Sequence, residues 1–129
     1  MASRLATINL PNTDYCFKGS FPEFFATFVE SEKIQRLSTK DPLPMQSIDL
    51  TTEPEPTPVI KVLNTQKITF PIIPKKIDRE NQRLLLRIDK QTDNKAKATL
   101  YRGDSGYLIS FLFRKKKCWN LEKIEDHSV

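Results

Sequence analysis

The chain has 129 residues, 38% of them hydrophobic and 29% charged, with a formal net charge of +5 at pH 7. That length points to one domain able to bury a core of its own. No run of 18 apolar residues occurs, which excludes a membrane-spanning helix.

Residues 1–19 read as an N-terminal arm, and residues 20–129 as a single domain. In the arm, Leu5, Ile8 and Leu10 suit docking or an edge strand, and Pro11-Asn12 stops the run. No signal peptide is visible. Met1-Ala2-Ser3 is expected to be an added start in place of a removed leader. Ser20-Phe-Pro-Glu23 is a capping box, because the serine hydroxyl meets a free backbone N–H while Glu23 reaches back. Phe21, Phe24, Phe25 and Phe28 then recur at helical spacing, with Val29 completing an apolar stripe. At that spacing the phenylalanines read as core before they read as a ligand pocket. Ser31 to Leu37 is a second short helix or a continuation, and Asp41 to Pro44 ends helical structure.

Residues 45–50 suggest a short strand. Thr51 to Pro58 is an extended loop of polyproline character, and it carries Glu53 and Glu55. Residues 59–63 form a candidate strand. Residues 67–74 form another, limited to an edge or bulge by Pro71 and Pro74. Arg79 to Gln82 reads as a polar turn. Arg83 to Lys90 alternates through Leu84, Leu86 and Ile88. Gln91 to Asn94 has turn chemistry, and Lys95 to Arg102 sets Ala96, Ala98 and Leu100 against Lys95, Lys97 and Thr99.

In the next run Tyr107, Ile109, Phe111 and Phe113 share one face at period two. Gly103-Asp-Ser-Gly106 is expected to supply the positive φ of a hairpin, and Lys115-Lys-Lys117 to form a solvated turn before the last strand, 118–126. Helices followed by strands, each with one apolar face, give an α+β domain: N-terminal helices on a curved antiparallel sheet that ends in a four-strand meander.

Cys16 and Cys118 are the only cysteines. They are either buried thiols or one disulfide tying the arm to the last strand, and the second case implies an oxidising compartment. Two cysteines are too few for a structural zinc site.

The inventory for catalysis is thin, and no catalytic residue is assigned. His127 is the only histidine and stands near the chain's end, where fraying is the ordinary state. Glu125, Asp126 and His127 are adjacent, so on a strand they alternate between faces and make no metal site. Gly103-Asp-Ser-Gly106 lacks the spacing of a nucleophile elbow. No phosphate loop is present, and no cofactor is implied. A nucleic-acid stacking platform would need exposed aromatics, whereas Tyr107, Phe111 and Phe113 fall on the core face.

Phe21-x-x-Phe24-x-x-x-Phe28, then Ile34-Gln35-x-Leu37 and Pro42-Leu43-Pro44, resembles the helical opening of small bacterial envelope proteins of unknown function. Tyr107-x-x-x-Phe111-x-Phe113 with Trp119-x-Leu121-x-x-Ile124 resembles their closing hairpin. The family pattern sets an arginine three positions past the glutamine; here Arg36 follows at once. The resemblance implies a nuclear-transport-factor-like, or cystatin-like, cone of helices on a curved sheet. It carries over no catalytic residue.

Three functions fit. The first is a non-enzymatic protein-binding module of the periplasm or another extracytoplasmic space, whose sharpest form is an immunity protein against a secreted toxin. Its contacts would be Arg114, Lys115, Lys116 and Lys117 in the basic turn, and Glu53 and Glu55 in the proline loop. The second is a small-molecule pocket protein or enzyme of the cone class, lined by Tyr101, Tyr107 and Trp119. The third is an envelope scaffold.

Overall fold

The computed structural model describes residues 15–129. The arm's Leu5, Ile8 and Leu10 lie outside the described residues. Helix α1 (Phe21–Glu30) starts on the predicted capping box: the Ser20 hydroxyl accepts from the Glu23 N–H, and Glu23 Oε1 accepts from the Ser20 N–H at 3.3 Å. Helix α2 (Glu32–Leu37) is a fresh start capped by Ser31, whose Oγ accepts from the Ile34 N–H at 3.2 Å. Two short helices joined at one capping serine change direction without a loop.

The strands are β1 (Leu43–Asp49), β2 (Thr57–Leu63), β3 (Leu85–Gln91), β4 (Lys95–Tyr101), β5 (Leu108–Lys115) and β6 (Trp119–Asp126). They form one curved, unclosed sheet in the order β2-β1-β6-β5-β4-β3. The last four strands are the predicted antiparallel meander. The sheet as a whole is mixed, because β1 runs parallel to β6 (Met45 opposite Ile124, Gln46 opposite Glu125).

The apolar face of the meander meets the phenylalanine stripe of α1. Phe21, Phe24, Phe28, Phe111, Phe113 and Trp119 are buried together. Phe21 lies 5.1 Å from both Phe113 and Trp119 between ring centroids, and Phe28 meets Phe113 edge-on at 5.2 Å. Such pairs contribute about 0.5–1.5 kcal/mol each beyond their area. Ala96, Ala98 and Leu100 are small enough to let this aromatic layer sit against β4.

Three local expectations differ from the structure. Residues 67–74 are not a strand: a 3₁₀ turn (Thr65–Lys67) leads into irregular backbone. Its hydrogen bonds go instead to one buried side chain. Gln35 Oε1 accepts from the Ile72 and Ile73 N–H groups at 2.6 and 3.1 Å, and its Nε2 donates to the Ile73 carbonyl at 2.9 Å. The amide side chain thus replaces the strand neighbour that Pro71 and Pro74 discourage, and buries Ile73 beneath it.

Arg79 to Gln82 is not a turn but the second half of helix α3 (Lys76–Asn81). Its first turn is capped from a distance by Glu30, which accepts from the Lys76 N–H at 2.9 Å. Arg83 ends the helix at φ 59°, with the Leu84 N–H bonded back to the Arg79 carbonyl at 2.8 Å. Finally, neither glycine of Gly103-Asp-Ser-Gly106 has positive φ. The loop is longer than a two-residue hairpin. Gly106 serves close approach instead, since a Cβ there would collide with the Val129 carbonyl, and its own carbonyl accepts from the Val129 N–H at 3.1 Å.

Candidate functional site

Cys16 and Cys118 form a disulfide across 102 positions of sequence. It fastens the strap 15–20 to the start of β6. Three further bonds join them there. The Trp119 N–H donates to the Phe17 carbonyl at 3.1 Å, Trp119 Nε1–H to the Gly19 carbonyl at 2.9 Å, and Lys115 Nζ to the Lys18 carbonyl at 2.5 Å. The basic turn Lys115–Lys117 therefore stands on a tied base, with Arg114, Lys116 and Lys117 exposed.

The loop with Glu53 and Glu55 joins β1 to β2 at the opposite end of the sheet. Strand β5 has eight residues, which at roughly 3.3 Å each puts about 25 Å between the two ends. The two groups of candidate contacts are thus separate, and a small partner touches one or the other. The loop is held by its own chemistry: Asp49 Oδ1 accepts from the Thr51 N–H at 3.0 Å and from its hydroxyl at 2.6 Å. Those two bonds hold the Asp49 carboxyl below its ordinary value.

The three candidate pocket aromatics do not converge. Trp119 is buried in the α1 layer. Tyr101 and Tyr107 border a shallow depression near the β4–β5 loop. Arg87 lies over the Tyr101 ring at 4.6 Å and Arg102 over Tyr107 at 5.2 Å. Burial, with the charge of Asp126, raises the Tyr107 hydroxyl above its usual value.

The sheet's outer face, away from α1, carries rows of side chains set by strand register. One row runs Arg87, Thr99, Ser110, Glu125, Gln46 and Ile60. Thr99 and Ser110 are buried within it, their hydroxyls 3.3 Å apart, and Thr99 also donates to Asp89 at the β3 bulge. Burial pushes the Asp89 carboxyl up, but bonds from Thr99 and Arg87 and the charge of Lys97 outweigh it and hold it below the ordinary value.

The next row runs Lys90, Lys97, Leu112 and Lys123, and beyond it Lys95 stands opposite Arg114. Lys90, Lys95, Lys97, Leu112 and Arg114, with the single acid Glu122, line a groove of about 500 Å³. On the inner face, a second pocket of about 360 Å³ opens between the irregular segment (Ile68, Ile72) and the sheet (Met45, Ile109, Phe111, Ile124).

Sequence reading placed Lys95 and Lys97 on a solvent face of β4 but did not join them to Lys90 and Arg114. The signal, basic residues recurring at period two, was present. The register that opposes them was not. Among the described residues no group of three or more metal-ligating side chains comes together.

No protein-family model matches the chain, and no curated protein matches it. Among solved structures it is similar to an NTF2-like protein from Bacteroides fragilis, with 18% identity and a TM-score of 0.64. The likeness covers 87% of this chain and 48% of that one, so this chain spans less than half the length of its structural neighbour. At that identity the likeness speaks for the fold: the domain has an NTF2-like, that is nuclear-transport-factor-like, α+β architecture.

Proposed function

We propose that this protein is a non-enzymatic, extracytoplasmic protein-binding module, and that its most specific form is an immunity protein which neutralises a secreted bacterial toxin. The observation that carries this reading is the filling of the concave side beneath α1. Phe21, Phe24, Phe28, Phe113 and Trp119, each at most 2% exposed, occupy the space in which a cone of this kind holds a ligand. Chemistry is thereby moved to the surface, where charged side chains stand on a rigid frame. The Cys16–Cys118 disulfide supports a place in an oxidising compartment.

The test is affinity capture from an envelope extract of the source organism, with the disulfide kept intact. One stoichiometric, salt-sensitive partner is expected. Replacing Lys115, Lys116 and Lys117 with glutamate should slow its association at low salt; unchanged kinetics remove that turn from the interface. An empty capture sinks the reading.

A second reading rests on the inner pocket beside Met45 and Ile72, whose walls are almost wholly apolar. A small apolar ligand there would make the domain a pocket protein. Native mass spectrometry showing a retained small molecule, lost on Met45→Trp, would favour it.

A further inference from the structure

We infer that the outer face around Leu112 is a docking site for an acidic segment of a partner protein, an inference that rests on the protein-binding reading. Its basis is a conflict in the free molecule. Lys90 stands directly opposite Lys97, and Lys95 directly opposite Arg114. Like charges on opposed cross-strand positions repel, and sheets ordinarily avoid them. Here two such pairs are adjacent on one face. Among the described residues none of the four cations makes an ion pair. Lys123 in the same row shows the contrast, with Glu125 at 3.3 Å and Gln46 at 3.1 Å. Local rules broken together, without a partner inside the molecule, mark a surface built for something outside it.

The shape fits the charge. Leu112 lies at the centre of the row, half-buried, with cations on both sides. The groove holds about 500 Å³, room for a few residues of extended chain. An occupant with carboxylates flanking one apolar side chain would set the latter on Leu112 and neutralise both opposed pairs. The floor is aliphatic there, while Phe111, Phe113 and Trp119 turn into the core. That favours an acidic peptide over nucleic acid, whose bases call for exposed aromatic faces.

The test uses the full chain and a fluorescein-labelled octapeptide of alternating glutamate and leucine, followed by fluorescence anisotropy and amide NMR. Binding is expected to perturb the amides of Lys90, Lys97, Leu112 and Arg114. Lys97→Glu combined with Arg114→Glu should weaken it at least tenfold, while the melting temperature stays level or rises because both repulsive pairs are gone. The far-end pair Glu53→Lys with Glu55→Lys should leave affinity within twofold. Absence of binding, an equal loss with the far-end pair, or displacement by a single-stranded oligonucleotide at equal charge overturns the inference. If a captured partner binds wild type and the Lys97→Glu, Arg114→Glu variant equally well, this site fails while the protein-binding reading stands.

Discussion

The two ends of the sheet are built on different principles. At one end the β5–β6 turn is tied to the N-terminal strap by a disulfide and three hydrogen bonds, and it carries Lys115, Lys116 and Lys117 beside the lysine rows of the outer face. At the other end the β1–β2 loop carries Glu53 and Glu55, is exposed along most of its length, and is stabilised by Asp49 and Thr51 alone. Positive charge is thus presented on a fixed base, and negative charge on a loop that depends on nothing beyond itself. A surface whose like charges are crowded together needs the first arrangement, because a flexible support would relax the repulsion by letting the side chains part. The second needs no support, since Glu53 and Glu55 are solvated and have room to separate.

The contrast is broken most directly at the disulfide. Cys16→Ser with Cys118→Ser opens a loop of 102 residues, and loop-closure entropy alone sets the expected loss at about 4–5 kcal/mol. Urea unfolding measures it, and a loss under about 1 kcal/mol would mean the strap holds without the bond. Trp119→Phe keeps the aromatic packing but removes the donor to the Gly19 carbonyl; about 1–2 kcal/mol should go with it. Exchange of Glu53 and Glu55 for lysine at the far end should change stability by less than about 0.5 kcal/mol, as both are exposed and unpaired among the described residues.

Between the ends, Asp89 gives a pH-dependent check of the outer face. Its folded carboxyl lies below the unfolded value of about 3.9. The stability it contributes is therefore present above that unfolded value and fades as pH falls through the lower folded one. Thr99→Val removes one of the bonds that hold the carboxyl down, so the Asp89 carboxyl resonance should titrate at higher pH in the variant. An unmoved titration would assign the shift to Arg87 and Lys97 alone.

Gln35 shows how far a single side chain can decide backbone structure. Gln35→Leu strands two buried N–H groups and a carbonyl of the 72–73 segment, at about 1–3 kcal/mol each. Nothing in the stretch 67–74 announces this, because the partner is 37 positions upstream. The same holds for α3, whose cap is Glu30, and for Arg83, which takes a left-handed conformation that glycine would adopt more readily.

Local physics was written into the sequence. The capping boxes, the phenylalanine stripe at helical spacing and the period-two alternation of β4 and β5 rest on contacts within a few residues, so α1, α2 and the four-strand meander follow from order alone. The same period placed Lys95 and Lys97 on the outer face. What stands beside them was decided only when the strands paired: a shift of one residue would send every side chain to the other face, and the β3 bulge is what brings Lys90 opposite Lys97. Likewise the chain order offered two cysteines, but only the folded strap brought Cys16 to Cys118. Sequence sets the periodicity of an element; register, remote caps and cross-links are properties of pairs distant in the chain, and tertiary packing alone chooses the pairs.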